Sequence, residues 1–234
     1  MDSNVAKVET ISSLKLISSH GEVGNVQTFV FETGGITWLA GQAQAYRLPQ
    51  LGSDEKESVR WFTISSSPSE GNIHISTRVS QSKFKQALAA MEPGNEIQAH
   101  GLEGDFTWEE SAGEPVVLVA GGIGITPFRS ILVSRQAEGK RLNATLLYFN
   151  RDEDVAFKAE LEALREKHSD LHLEVIIGED VSAQSILKHA PQAAKQLVYI
   201  SGAEPMVEKV GADLSKLGVR IKQDCFPGYD EKNY

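Results

Sequence analysis

Apolar and polar positions follow two different rhythms along the chain. Up to about Trp108, short runs alternate with the period of half-buried strands, most clearly in Ile-His-Ile-Ser-Thr at 73–77. Turn pairs such as Pro93-Gly94 separate these runs. The pattern predicts six strands, at residues 8–17, 26–31, 43–48, 60–65, 73–77 and 96–101. Six short strands at this spacing predict an antiparallel Greek-key β-barrel.

One predicted helix interrupts these strands. Ser82 is a suitable N-cap, and Phe84, Leu88 and Met91 then share one face.

The second half reads as strands alternating with helices. Residues 116–120 form a continuous apolar run, as expected of a parallel strand covered on both faces. Further strands are predicted at 146–149, 173–177, 197–200 and 219–221, and the intervening helical faces carry Phe157, Leu161, Leu164, Met206, Val210, Leu214 and Leu217. This alternation predicts an α/β doubly wound parallel sheet. We therefore predict two domains, residues 1–110 and 111–234, joined by a linker at about 109–114.

Composition narrows the function. The formal net charge of -9 argues against nucleic acid as a general partner. Cys225 is the only cysteine, which excludes an internal disulfide framework and a four-thiolate metal cluster. The histidines show no metal-ligand spacing, so we predict no metal site. The polar N-terminal stretch and the lack of a long apolar run lead us to expect a cytoplasmic protein with no membrane span.

A glycine-rich turn follows the first apolar strand of the second half. Gly-Gly-Ile-Gly-Ile-Thr-Pro at 121–127 is placed to open a helix, where backbone N–H groups and the positive helix end can hold a pyrophosphate. Thr126 can cap that helix, and Pro127 fits its first turn. The usual dinucleotide fingerprint differs, because Pro127 replaces its third glycine and Asn150-Arg151 replaces its acidic residue. We interpret the turn as a nucleotide site of a different type from a standard dehydrogenase.

A second segment with candidate ligand-binding side chains is Arg-Trp-Phe-Thr-Ile-Ser-Ser at 60–66. Arg60 can pair with a phosphate, Phe62 offers a flat face, and Thr63 and Ser66 offer hydrogen bonds. Taken by itself, a structural strand rich in serine explains the segment equally well.

Together these segments resemble the ferredoxin–NADP⁺ reductase-like family of FAD- and NAD(P)-binding oxidoreductases. Arg-x-Phe-Thr-x-x-Ser at 60–66 is similar to the flavin signature of that family, and the turn at 121–127, continued by Phe-Arg-Ser, is similar to its nucleotide loop. Trp-Leu-Ala-Gly-Gln at 38–42 and Ser-Gly-Ala-Glu-Pro-Met at 201–206 are similar to two more of its segments. The resemblance covers nearly the whole chain, with the flavin barrel first.

The resemblance implies FAD and NAD(P)H as cofactors and assigns residues to each. The implied FAD set is Arg60, Trp61, Phe62, Thr63, Ser66, Ile75, Ser76, Thr77, Ser80, Gln81, Ser82 and Phe226. The implied NAD(P) set is Gly121, Gly122, Gly124, Thr126, Pro127, Asn150, Arg151, Gly202, Pro205 and Met206.

The resemblance also implies individual roles. Arg60 binds the FAD pyrophosphate, Phe62 lies against the isoalloxazine ring, and Thr63 hydrogen-bonds N5, the atom that receives hydride. Backbone groups of residues 75–77 line the flavin, and residues 80–82 hold the pyrophosphate or the adenylate.

Asp224-Cys225-Phe226, expected to follow the last strand, resembles the acidic and aromatic ending of many family members. Phe226 then covers the flavin and must move for hydride transfer, while Asp224 positions the nicotinamide or relays a proton. A core aromatic on a final strand is the alternative. We further hypothesise that Tyr229 packs near the cofactor.

The implied activity is hydride transfer from NAD(P)H to FAD, followed by electron transfer to a carrier such as ferredoxin or flavodoxin. One alternative is a diaphorase-like reductase of a quinone, a ferric chelate or free flavin, and another is a non-catalytic FAD/NAD-binding subunit of an electron-transfer complex. Arg78, Lys83 and Lys85 are candidates for a basic surface that would favour an acidic carrier. Arg151 could meet a 2′-phosphate and Glu179-Asp180 would repel one, so we predict weak selectivity between NADH and NADPH.

Overall fold

The computed structural model describes residues 11–110 and 115–226. Its first sheet and the helices between its strands comprise β1 (Ser12–Val23), β2 (Val26–Phe31), β3 (Ala43–Arg47), α1 (Glu55–Ser58), β4 (Val59–Thr63), β5 (Ile73–Arg78), α2 (Lys83–Ala89) and β6 (Glu96–Glu103). The second sheet and its helices comprise β7 (Val116–Gly121), α3 (Thr126–Ala137), β8 (Ala144–Asn150), α4 (Lys158–Lys167), β9 (Leu171–Ile177), α5 (Ala183–His189), β10 (Leu197–Ala203), α6 (Glu204–Lys216) and β11 (Arg220–Phe226).

The first six strands form an antiparallel barrel, as predicted. Their order is β4-β3-β6-β1-β2-β5, and a bridge between Ile64 and Ile75 joins the two outer strands. The inward-facing positions of the alternating pattern make one core, which includes Phe29, Phe31 and Tyr46. The predicted helix α2 adds Phe84 and Leu88 to this core and begins after Ser82, although the Ser82 side chain makes no capping hydrogen bond.

The last five strands form the predicted parallel sheet, in the order β11-β10-β7-β8-β9. The continuous apolar run of β7 has a simple explanation. Val117 and Val119 face one hydrophobic cluster, whereas Leu118 and Ala120 face another, so both faces of the strand are buried. The strand order reverses beside β7, and ligands of open α/β sheets bind at the carboxyl ends of strands at such a point.

The structure corrects the predicted bounds of the last strand. Asp224, Cys225 and Phe226 do not follow the last strand, because β11 runs from Arg220 to Phe226. Ladder pairing with β10 holds them in the sheet, with Ser201 opposite Asp224 and Ala203 opposite Phe226. The predicted strand at 219–221 was therefore too short.

The segment that leads out of the barrel packs on the second sheet. Phe106 lies 5.6 Å from Phe128 and 5.4 Å from Tyr199 between ring centroids, and Trp108 stacks on Tyr199 at 6.2 Å. Residues 111–114 of the predicted linker and Tyr229 lie outside the described residues. The domain limit at 110/111 remains a prediction.

In the part of the chain that the structure describes, no helix combines the length and the apolarity that a membrane crossing requires.

Candidate active site

A pocket lies at the seam, the line along which the barrel meets the carboxyl ends of the parallel strands. The residues that line it are Phe62, Thr63, Ser76, Thr77, Ile123, Thr126 and Phe226. They come from β4, β5, the glycine-rich turn and the end of β11. The three segments that carry the chemistry in the sequence therefore converge on one place.

Strand β4 presents alternate side chains to opposite sides. Phe62 is buried, with its ring centroid 6.1 Å from that of Tyr46 and 5.9 Å from that of Phe84. Trp61, one position earlier, is 43% exposed and is not among the residues that line the pocket. Ser66 lies beyond the strand, and its hydroxyl donates to the Asn72 carbonyl and accepts from the His74 N–H. Of the implied flavin residues on this segment, the structure brings Phe62 and Thr63 to the pocket.

Asp224 is held against the pocket by two hydroxyl groups. Thr63 Oγ1 donates to Asp224 Oδ2 at 3.5 Å, and Ser201 Oγ donates to the same oxygen at 3.3 Å. The β10–β11 register places Ser201 opposite Asp224, so this contact is built into the sheet. Burial raises the pKa of Asp224 to about 7, although both hydroxyl hydrogen bonds lower it. The carboxyl therefore changes charge in the physiological pH range.

Phe226 lines the pocket from the last residue of β11 and packs partly against the core of the second sheet. It is brought there by pairing with Ala203 at the end of β10. The aromatic ring and the carboxyl of Asp224 are thus carried to the pocket by the same strand.

The glycine-rich segment forms a 3₁₀ turn from Gly122 to Ile125 that leads directly into α3. Gly122 has a φ of 53°, which favours glycine. Thr126 is not the N-cap that we predicted. Because the 3₁₀ turn precedes α3, the N-cap position is Ile125, and Thr126 Oγ1 donates back to the Ile123 carbonyl at 3.1 Å. Pro127 lies in the first turn, as predicted.

Gly124 is required by the packing of the backbone as well as by any ligand, whereas Gly121 faces only the flexible end of Met206. A Cβ atom on Gly124 would overlap the carbonyl oxygen of Ser201 and lie 2.7 Å from the Cα of Gly202. A Cβ atom on Gly121 would lie 2.7 Å from Cε of Met206. The turn after β7 and the end of β10 thus approach each other closely, which explains why these two separate segments both carry glycine.

The chain matches known proteins along both halves. A family model described as the oxidoreductase NAD-binding domain matches residues 118–211. The ferredoxin–NADP reductase B of Sorangium cellulosum is 29% identical over 225 residues, which is 87% of each chain. Both halves of the chain are therefore similar to the ferredoxin–NADP⁺ reductase-like family of FAD- and NAD(P)-binding oxidoreductases. These matches confirm FAD and NAD(P)H as the cofactors. They also confirm that the enzyme class is an NAD(P)H-dependent flavoprotein reductase.

Other relatives of the chain differ in name and length. NADH-cytochrome b5 reductase 1 of Mortierella alpina is 26% identical over 167 residues, which cover 65% of this chain and 52% of that protein. The flavohemoprotein of Candida albicans is 26% identical over 207 residues, which cover 81% of this chain and 51% of that protein. This chain therefore spans about half the length of these two relatives.

The fold is shared with solved members. Ferredoxin–NADP⁺ reductase from Plasmodium falciparum matches with a TM-score of 0.79 at 16% identity, over 94% of this chain and 99% of that chain. The cytochrome b5 reductase domain of Ulva prolifera nitrate reductase matches with a TM-score of 0.76 at 19% identity, over 92% of this chain and 97% of that chain.

A cluster of three cations stands beside the implied flavin segment. Burial, together with the positive charges of Arg60 and Arg78, lowers the pKa of Lys85 to about 7. Within the described residues, Arg78 Nε and Ser82 Oγ are buried without a hydrogen-bond partner. An anion among these groups would relieve their repulsion and supply the missing acceptor, so the residues present fit the FAD pyrophosphate. The family resemblance assigns only Arg60 and residues 80–82 to this task.

The same cluster corrects the proposed basic surface. Lys85 is only 5% exposed, and Lys83, which is exposed, donates to Glu57 at 2.7 Å. Arg78 Nη1 donates to Asn25 at 3.2 Å. These three residues do not form a free basic surface, because one is buried and the other two have neighbouring partners.

The remaining implied nucleotide residues lie along the carboxyl edge of the parallel sheet. Asn150 ends β8 and is buried, and both polar atoms of its amide lack a protein partner among the described residues. Arg151 follows it and is exposed, as is Pro205 at the start of α6. These positions and Gly202 leave donors and acceptors at the edge where a dinucleotide binds in open α/β sheets.

One residue that joins the two halves received no role from the sequence. Arg129 of α3 donates to Glu70 of the barrel at 2.9 and 3.0 Å, to Glu160 of α4 at 2.8 and 2.9 Å, and to the Ser65 carbonyl at 2.8 Å. Its neighbour Ser130 donates to the Ser66 carbonyl at 2.6 Å. The only signal in the sequence was the Phe-Arg-Ser continuation of the nucleotide loop.

Proposed function

We propose that this protein takes hydride from NAD(P)H and passes the electrons singly to a carrier protein such as ferredoxin or flavodoxin. The observation that supports this most is the pocket between the barrel and the parallel sheet, where Thr63 and Phe226 line the wall and Thr63 hydrogen-bonds to Asp224. FAD, when bound, supplies the redox chemistry, because it accepts two electrons together and releases them one at a time. The residues of the chain position the reactants and control water and protons.

Each wall of the pocket has its own task in this proposal. Phe62 offers its face to the isoalloxazine ring, and the Thr63 hydroxyl hydrogen-bonds at the hydride-accepting edge. Phe226 excludes water until the nicotinamide arrives, and must then move aside. Asp224 holds a proton or a negative charge beside that position, depending on pH.

Two anion sites fix the cofactors in this proposal. Arg60, Arg78 and Lys85, with the loop of residues 80–82, hold the FAD pyrophosphate. The 3₁₀ turn from Gly122 to Ile125 and the start of α3 hold the phosphates of NAD(P)H, because they follow the carboxyl end of β7 and the start of a helix favours an anion.

For the nucleotide we propose weak selectivity. Glu179 receives hydrogen bonds from His189 and Ser185 at 3.1 and 2.8 Å, and these contacts lower its pKa to about 2. The Glu179 carboxylate, just after β9, disfavours a 2′-phosphate only in part because Lys188 pairs with it at 3.1 Å, whereas the exposed Arg151 favours one. A preference greater than about a hundredfold for either nucleotide, near 2.7 kcal/mol, would contradict this.

The decisive experiment begins with the visible spectrum of the purified protein loaded with FAD. NADH and NADPH are then added in turn without oxygen, and bleaching of the flavin band is followed. We expect bleaching by both, followed by recolouring on addition of ferricyanide. Bound FAD that neither nucleotide reduces would support the reading as a non-catalytic subunit.

The acceptor is tested by steady-state turnover with ferredoxin, flavodoxin, cytochrome b5, a quinone and a ferric chelate. We expect the highest kcat/KM with a one-electron carrier protein. A quinone or chelate that exceeds every carrier would favour the diaphorase-like alternative.

A further inference from the structure

A second cleft opens between the β1–β2 hairpin and the start of α4. Its lining includes His20, Glu22, Thr28, His74, Lys158 and Glu160. This cleft and the active pocket both border the paired strands β2 and β5. Thr28 and Ser76 are opposite each other in that pairing, and Thr28 lines the second cleft while Ser76 lines the active pocket.

A continuous chain of hydroxyl groups connects the two cavities. Ser76 Oγ lies 2.7 Å from Thr28 Oγ1, and Thr28 Oγ1 donates to Glu22 Oε1 at 2.7 Å. The same Glu22 oxygen lies 3.1 Å from Nε2 of His20. Thr28 and Ser76 are 2% and 5% exposed, whereas the His20 side chain is 55% exposed. The chain therefore runs from the wall of the pocket to solvent.

A side branch determines how many protons the chain can hold. Ser76 Oγ also lies 2.7 Å from Ser65 Oγ, which donates to the His74 carbonyl at 3.1 Å. Four contacts thus link Glu22 to that carbonyl, but the three hydroxyl groups supply only three protons. With Thr28 donating to Glu22 and Ser65 to His74, the single proton of Ser76 can satisfy only one of its two neighbours.

A fourth proton on the Glu22 carboxyl completes the chain. Glu22 then donates to Thr28, Thr28 to Ser76, and Ser76 to Ser65, so every contact has one proton. The geometry has a place for one mobile proton, which enters or leaves at Glu22 and shifts the orientation of the buried hydroxyls.

We propose that Ser76, Thr28 and Glu22 form a proton exit from the active pocket to the second cleft. This inference rests on the proposed function. Each hydride brings one hydrogen nucleus and two electrons into the pocket, and carriers that accept only the two electrons leave one proton behind. Ser76 Oγ accepts that proton and gives its own hydroxyl proton to Thr28, which gives its own to the Glu22 carboxylate. His20 or water then removes it, so that only O–H and N–H bonds form and break.

This exit is distinct from Asp224, which meets the pocket through Thr63 and Ser201. The charged groups that face Glu22 from other elements are His74 of β5, Arg129 of α3, and Glu153, Lys158 and Glu160 on either side of the start of α4. Ser76 touches the pocket, whereas Thr28 and Glu22 act through it.

The test interrupts the chain at its buried centre. Thr28→Val keeps the shape of the side chain and removes the relay hydroxyl, whereas Thr28→Ser keeps the hydroxyl. Glu22→Gln removes the terminal proton acceptor. Thr145→Val, at the amino end of β8, is a matched substitution away from both cavities. The FAD absorbance and the melting temperature of each holoenzyme show that it is folded and loaded.

The first measurement is the reduced-minus-oxidised infrared spectrum, with dithionite as reductant, and it does not depend on turnover. The comparison is made in an Asp224→Asn background, which removes the other carboxyl group beside the pocket. There we expect a carboxyl band with the unchanged relay, with Thr28→Ser and with Thr145→Val, and its loss with Thr28→Val and Glu22→Gln. The second is the reoxidation of the reduced protein by ferricyanide in H₂O and in D₂O. We expect Thr28→Val and Glu22→Gln to slow it roughly tenfold or more and to increase the deuterium effect.

The proposal is overturned if Thr28→Val and Glu22→Gln keep the wild-type band, rate and deuterium effect. If Thr28→Val does not fold, Glu22→Gln decides, because Glu22 lies at the edge of the cleft. Failure of the proposed function is a separate result, in which the wild-type protein is not reduced by either nucleotide. The infrared comparison still tests the relay in that case.

Discussion

Asp224 is an acid whose charge depends on pH near neutrality, because burial raises its pKa to about 7. A positive charge develops on the nicotinamide ring when hydride leaves, and a nearby carboxylate stabilises that charge. We therefore expect the rate of flavin reduction to rise as pH passes upward through about 7. Asp224→Asn should abolish this rise and lower the rate above pH 7 by roughly 10- to 100-fold. Stopped-flow reduction by NADH across this pH range measures both effects.

Asp224→Asn should also change how the stability of the protein depends on pH. The folded pKa lies above the ordinary value of 3.8, so the folded state binds more protons between pH 3.8 and about 7. The free energy of unfolding contributed by Asp224 therefore falls as pH rises through that window, and Asp224→Asn removes this dependence. Asp213→Asn on α6, where Asp213 pairs with the exposed Lys216, is the control and should change neither property. A pH profile of Asp224→Asn that matches the wild type would contradict the assignment.

For Lys85, the free energy of unfolding changes with pH in the opposite direction. Its folded pKa of about 7 lies below the ordinary 10.5, because burial and the charges of Arg60 and Arg78 disfavour the cation. The unfolded state then binds more protons between pH 7 and 10.5, so we expect the flavin-free protein to become more stable as pH rises through that range. Lys85→Met should remove this rise and weaken FAD binding.

Urea denaturation at several pH values and fluorimetric titration with FAD measure the two effects. Lys83→Met, which changes an exposed neighbour on the same helix, is the matched control. Equal FAD affinity in Lys85→Met and Lys83→Met would exclude Lys85 from the pyrophosphate site.

At the scale of elements, the apolar pattern predicted where strands lie better than where they end. The strand at 26–31 agrees with β2, because turn residues on either side define both of its ends. The edge strand β11 was too short in the prediction, because its half-exposed residues lack an apolar run. Helix α5 was missed because it has seven residues and only Ser185 and Ile186 are buried, which is too few to show a helical period.

The site could be predicted only where its residues are close in sequence. Thr63 and the turn at 121–127 belong to local motifs. By contrast, Arg129 is 59 residues from Glu70, and Thr28 is 48 residues from Ser76, so these contacts exist only through the register and packing of the sheets. The burial of Lys85 was equally hidden, because a lysine on a short helix normally faces solvent.

The turn after β7 offers a test at this scale. Gly124→Ala places a Cβ atom against the backbone of Ser201 and Gly202, and neither can move without distorting β10. We expect a loss of about 1–3 kcal/mol in the free energy of unfolding. We also expect weaker NAD(P)H binding, with FAD affinity unchanged. Denaturant titration and anaerobic reduction measure these changes.

Gly21→Ala in β1 is the control, because a Cβ atom there meets no neighbouring atom within 4 Å. If Gly124→Ala is as stable and as readily reduced as Gly21→Ala, the close approach of the two segments is not required.

For the whole molecule, Arg129 is the main polar connection between the barrel and the parallel sheet. Removing its charge leaves Glu70 and Glu160 facing each other, and each carboxylate loses two hydrogen bonds. We expect Arg129→Met to cost roughly 2–4 kcal/mol, since both carboxylates keep some contact with solvent. The defect should shrink towards pH 4 as the carboxylates become protonated.

Denaturation across pH 4 to 8 tests this expectation, and Arg165→Met, at an exposed arginine of α4, is the control. A defect in Arg129→Met that is independent of pH would show that lost packing, and not the unpaired carboxylates, is responsible. The rate of flavin reduction should also fall, because Arg129 fixes the Ser65 carbonyl beside the pocket.

The pocket draws its walls from two separate hydrophobic cores, one inside the barrel and one on the parallel sheet. A molecule bound there gains its affinity only while both cores are intact, so its binding energy opposes the melting of each. Occupancy of the pocket is therefore a source of thermal cooperativity. Without a cofactor in the pocket, the two halves are free to melt at separate temperatures. With the cofactor bound between them, we expect them to melt in one transition.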